Sequence, residues 1–361
     1  MAETEAKKRV SALGLIKFLA AIAIVYYHIF PSSNDHWSQL YILVELFFII
    51  SGYFTFLHFQ KDKNAIREDS LERKAKNALI YTWKKYINFL PYIIFATIFC
   101  YAPIAFQSIR NNNLYSALDT IKYAISDIFL LGGQIGESKN FAIWFLSAMI
   151  IVFPLFCIIC QTKHKNAILV AILPMSLIYY LNFYNSYCCL GAGSLARAFF
   201  GLMLGLIVYI TSSKIKGIQT SKKTNAKLQI LETVFFIVSI ILLYPSKSSQ
   251  NIHYIVIFTL ISFLSYLSIL LSGKTSVCKI SNRLFDFLEK ISLIIYLIHI
   301  PTFRLILYFS PDRLTCTVFY MIVVPLLIFL SSSVYCIWEY IARDKSKVSA
   351  LIDKNCYNID K

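Results

Sequence analysis

Apolar residues recur along this chain in runs of roughly 20, each long enough as a helix to cross a hydrocarbon core of about 30 Å. Repetition of such runs makes the chain an all-α, polytopic integral membrane protein. Composition agrees, since 58% of the 361 residues are apolar and 15% charged, whereas soluble domains carry about a quarter charged residues. Ten spans are expected, at 13–31, 41–59, 87–106, 143–161, 167–184, 194–212, 228–244, 252–272, 288–308 and 315–338. The stretch 114–132 carries Asp119, Lys122 and Asp127 at helical spacing, so it reads as an amphipathic helix in the interface rather than as a span.

The net charge of +16 is a statement about topology before it is one about partners. With both termini cytoplasmic, the inner segments hold 26 of the 35 Lys and Arg residues and the outer segments five: Arg110, Lys122, Lys139, Lys247 and Arg313. One missed helix scrambles every later loop, so this asymmetry supports an even span count in the cytoplasmic (inner) membrane. The basic residues are not interleaved with aromatics on one surface, and nucleic acid is not indicated. The first run lacks a short apolar core with a small-residue cleavage site and carries Lys17, so it is expected to stay attached. The organisation is a cytoplasmic N-terminus at 1–12, a membrane domain at 13–340 and a cytoplasmic tail at 341–361.

Ionisable groups inside a bilayer cost at least about 2.5–3.5 kcal/mol each and usually face a cavity or one another. Lys17 and His28 are 11 residues apart, close to three turns, so they share a helix face with about 16 Å between them, Lys17 inward and His28 outward. Glu45, on the antiparallel second span, lies at nearly the depth of His28. There it either holds that imidazole in one tautomer, as a general base requires, or pairs with Arg197 or Arg304 as structural glue. Ser51-Gly52 interrupts FFIISGYF with small residues that permit close helix approach or leave room for a ligand. His299 and Arg304 flank Pro301 on the ninth span, and Arg197 opens the sixth at its outer end. Together His28, Glu45, Arg197, His299 and Arg304 imply a polar cavity opening outward. The nine cysteines fit neither a disulfide framework nor a metal site: Cys157-Ile-Ile-Cys160 sits in an apolar run with no second pair, and Cys188-Cys189 fall on a loop.

The stretch LGLIKFLAAIAIVYYHIF followed by VELFFIISGYF resembles the start of the membrane-bound acyltransferase 3 family, whose members O-acylate sugars and polysaccharides. IWFLSAM at 143–149, ARAFFGLMLGL at 196–206 and LEKISLIIYLIHIP at 288–301 are similar to later family segments. The resemblance implies a ten-helix enzyme that takes an acyl group, commonly acetyl, from cytoplasmic acyl-CoA and delivers it to a hydroxyl of a cell-surface polysaccharide or lipid-linked glycan, with no metal. It also implies that Lys17 stands for the family's basic residue, His28 for its essential histidine and Glu45 for its acidic position. An Arg-x-x-Arg motif is common before the third span, whereas this chain has Lys84 and Lys85 with Asn88 at the second arginine position. Lysine keeps the charge and loses the bidentate fork. Many members add an outer hydrolase-like domain, and without one direct transfer or hand-over to a separate glycan-assembly protein is expected.

On this reading Lys84, Lys85 and Arg73 hold the nucleotide and phosphates of acyl-CoA, Lys17 guides the donor, and His28 acts as base or as acyl-carrying nucleophile. Arg197, His299, Arg304, Ser51 and Trp144 form the substrate side. The competing reading is a transporter of a glycan or glycolipid that uses the same polar path, but the chain shows none of the internal repeat that transporters often carry.

Overall fold

The computed structural model describes residues 10–29, 39–61, 70–134, 138–182, 191–219, 221–244, 252–309 and 319–357. The Cys188-Cys189 pair and most of the expected N-terminal segment lie outside these residues. Eleven α-helices and no sheet occur among the described residues: α1 (Ser11–Ile29), α2 (Leu43–Lys61), α3 (Leu71–Arg110), α4 (Leu114–Ile128), α5 (Trp144–Cys160), α6 (Lys165–Asn182), α7 (Gly191–Gly217), α8 (Lys222–Leu243), α9 (Ile252–Ser272), α10 (Arg283–Phe309) and α11 (Val324–Tyr357).

Nine helices among the described residues have the length and apolarity to cross a membrane, where ten spans were expected. The expected ninth span, 288–308, falls within α10, which also carries Asp286, Glu289, Lys290 and Arg304. The 114–132 stretch forms the amphipathic α4, which is not among the nine and packs against α3.

Two helices run past their expected ends. The third begins at Leu71 rather than near 87, and its 40 residues extend about 60 Å, twice a hydrocarbon core. Its polar first turns are helical because Ser70 caps them, accepting from the Arg73 backbone N–H at 3.3 Å. The segment expected as a cytoplasmic tail continues α11 without a break to Tyr357.

Packing sets two helix pairs side by side. The helix α1 lies along α10, and α2 lies along α7. The second pair is drawn together by glycines. A methyl group added at Gly52 would collide with the Leu202 carbonyl, and one at Gly205 with the Ile49 carbonyl. At Gly201 the added carbon would stand 2.6 Å from Phe48 Cβ. Gly201 and Gly205 are one turn apart, the small-xxx-small spacing that lets membrane helices approach backbone to backbone. Between the two pairs stands an aromatic wall in which the Phe48 and Phe145 rings are 4.5 Å apart and the Phe145 and Tyr296 rings 5.7 Å.

Candidate active site

The close α2–α7 approach makes room for a buried ion pair. Arg197 Nε donates to Glu45 Oε1, and Tyr180 OH donates to Glu45 Oε2 at 3.1 Å. The guanidinium also donates through Nη2 to the Tyr41 carbonyl at 3.1 Å and lies 5.0 Å from the centre of the Trp144 ring. Glu45 thus engages both of its carboxylate oxygens, one with Arg197 and one with Tyr180. Trp144, expected on the substrate side, is buried beneath the arginine.

A second group lies where α1 meets α10. The rings of His28 and His299 are 5.1 Å apart at 33°. Phe141 and Tyr27 stand at 6.4 and 5.4 Å from the His28 ring, and Tyr27 lies 5.7 Å from Tyr41, which links this group to the ion pair. His299 is 1% exposed, and its Nδ1 is 2.5 Å from the Tyr296 carbonyl. A carbonyl only accepts, so Nδ1 carries the hydrogen and Nε2 keeps its lone pair. That Nε2 has no hydrogen-bond partner.

Pro301 explains how the neighbouring loop is docked. Proline has no N–H, so the carbonyl four residues earlier, that of Leu297, is released from the helix ladder. Asn140 Nδ2 takes it at 3.1 Å, and the turn that follows places Phe141 against His28.

Lys17, three turns from His28, pairs with Glu289 Oε1 at 2.6 Å. Both line a cavity of about 360 Å³, together with Ser51, Lys85, Asn88 and Lys290. Along α10 its lining runs from Glu289 through Ser292 and Leu293 to Tyr296, whose carbonyl holds His299. Lys85 and Asn88 also line a second cavity of about 320 Å³, with Lys84, His58, Asn77 and Tyr81.

Two expected site residues lie elsewhere. Arg73 is exposed in the first turn of α3 and lines neither cavity. Arg304 is exposed too, its guanidinium 3.7 Å from Cys100 Sγ on α3 rather than beside His28 or Glu45. Conversely, Tyr180, Tyr296 and Glu289 went unnoticed in the sequence. Only Glu289 carries a signal there, as an acid at the start of an apolar run. Among the described residues no group of three or more His, Cys, Asp and Glu side chains gathers as a metal site.

These features define a polytopic helical membrane protein whose interior holds a shielded ion pair, two adjoining imidazoles and a lysine-lined cavity. The acyltransferase domain of the acyltransferase 3 family matches residues 10–338, and the chain belongs to this family of membrane acyltransferases. No curated protein and no solved structure matches it.

Proposed function

We propose that the protein is an O-acyltransferase of the inner membrane, taking an acyl group from cytoplasmic acyl-CoA and passing it to a hydroxyl of a glycan at the opposite face. The observation that carries this reading is the 360 Å³ cavity, which joins Lys17, Lys85 and Lys290 to Tyr296 beside the histidines. With both termini cytoplasmic, the lysines face the compartment that holds acyl-CoA. The cavity's aromatic and small side chains suit a flexible, weakly polar pantetheine arm, and Lys84 and Lys85 suit its phosphates as point charges.

The reacting group is His28. It removes the proton from the acceptor hydroxyl as the oxygen attacks the thioester; the C–O bond forms, the C–S bond breaks and CoA departs. Glu45 and Arg197 hold α2 and α7 in register behind it. The test supplies labelled acyl-CoA to membranes containing wild type or His28→Ala, with glycan acylation and free CoA measured by mass spectrometry. The wild type is expected to release CoA and label glycan while the inserted variant does neither. Acylation retained in the variant refutes the role of His28, and intact acyl-CoA with translocated glycan in the wild type refutes the enzyme.

A further inference from the structure

A base that works through one nitrogen needs its other nitrogen held, because the neutral imidazole has two tautomers and only one presents the lone pair. Glu45 was the expected holder, but its oxygens are engaged by Arg197 and Tyr180. Beside His28 stands an imidazole whose own state is settled. His299 is buried, donates through Nδ1 to Tyr296, and keeps a lone pair on Nε2 that meets no donor. A buried acceptor left unpaired is destabilising, so its persistence beside a reacting group calls for a donor during function.

We propose that His299 is the positioning residue for His28: its Nε2 accepts the N–H of His28, fixes the tautomer that presents the opposite nitrogen to the acceptor hydroxyl, and stabilises the imidazolium that forms. The ring centres are 5.1 Å apart, and rotation about χ2 of His28, a broad torsion, brings its N–H toward that lone pair. Because the Tyr296 carbonyl belongs to the same turn of α10, the acceptor is built into the backbone of the helix and does not depend on a second mobile side chain. The bond strengthens as His28 gains charge, so it favours the transition state over the resting state. The same turn of α10 lines the donor cavity through Tyr296, which couples the holder of the base to the path of the thioester.

This assignment rests on the acyltransferase reading for its purpose but not for its chemistry, and two readouts separate them. The first is carbethoxylation of His28 in the purified full-length protein by diethyl pyrocarbonate, followed by peptide mass spectrometry; the reagent reports the nucleophilicity of the free nitrogen. The second is steady-state acyl transfer. His299→Phe keeps a buried ring without an acceptor, and His299→Gln keeps an acceptor oxygen. In the Phe variant, carbethoxylation of His28 is expected to slow several-fold and kcat to fall on the order of 10²-fold with KM for the acyl donor unchanged, while Gln restores most of both. Slowed carbethoxylation without any acyl transfer in the wild type sustains the histidine couple and removes the acyltransferase reading. Unchanged or faster carbethoxylation in the Phe variant, or equal losses in Phe and Gln, overturns the couple whatever happens to transfer.

Discussion

Arg197 and Glu45, 152 residues apart in sequence, form an ion pair whose side chains are 3% and 0% exposed. Burying two charges costs several kcal/mol per ion, which is recovered only because the pair is well satisfied. Tyr180, the Tyr41 carbonyl and the Trp144 face supply that satisfaction. Removing one partner strands the other. Glu45→Ala is therefore expected to destabilise the protein by about 3–5 kcal/mol, whereas Glu45→Leu combined with Arg197→Met recovers much of that loss. Thermal unfolding of the purified protein in detergent compares the two, and a double variant less stable than the single one refutes the account.

The register of that pair depends on the glycines between α2 and α7. Alanine at Gly52 or Gly205 meets backbone carbonyls, which cannot rotate aside as a side-chain tip would. Each substitution is expected to destabilise by about 1–3 kcal/mol or more through overpacking. Gly217, with nothing within 4 Å of an added carbon, is the control, and alanine there is expected to be neutral or up to about 1 kcal/mol stabilising. Equal effects at all three positions refute the close-approach argument.

Asp127, on α4 outside the membrane spans, offers a pH-dependent handle. Burial raises its carboxyl from an ordinary value of 3.8 to about 6, against the opposing hydrogen bonds from Tyr101 and Ser138, both at 2.7 Å. The folded protein therefore holds this proton more tightly than the unfolded chain. Between about pH 4 and about pH 6 the group's contribution to stability falls as pH rises, and above that it stays at its lower level. The loss is on the order of 2–3 kcal/mol. Asp127→Asn stays neutral, so the melting temperature of the variant minus that of the wild type is expected to increase between about pH 4.5 and about pH 7.5. A constant difference refutes the buried-carboxyl account.

Legibility in the sequence followed the physics of the bilayer. Spans announced themselves because lipid permits no unsatisfied backbone, and each must therefore be long and apolar. The first sixteen residues of α3, Leu71–Tyr86, were read as loop because helix outside the lipid carries no such requirement. Their charges concealed what the Ser70 cap reveals. Among site residues, Lys17 and His28 were placed on one face by helical spacing alone. Arg197 was legible only as one of two candidate partners for Glu45, and the neighbour of His28 was not legible. Arg197 lies 152 residues from Glu45, and His299 lies on α10 opposite α1. Which of several buried charges meet is decided by helix packing, and the local sequence carries glycines that permit the approach without naming who sits beside it.

Lys85 and Asn88 are three residues apart on α3, hence neighbours on one face, and both line both cavities. They occupy the positions where the family's Arg-x-x-Arg pattern has its forks, and here they offer one ammonium and one neutral amide. If the donor's phosphates rest at this junction, a guanidinium at 88 supplies a bidentate, permanently charged contact that asparagine cannot. Asn88→Arg is therefore expected to lower KM for acyl-CoA by about three- to tenfold with kcat little changed, because a contact made equally in the ground and transition states affects binding alone. Asn88→Lys, which adds charge without the fork, should give a smaller gain. Initial rates across a range of acyl-CoA concentrations decide the matter. A KM that rises or stays level in the arginine variant moves the phosphates away from this junction, while a matched fall in KM and kcat means that the new contact also traps the donor before transfer.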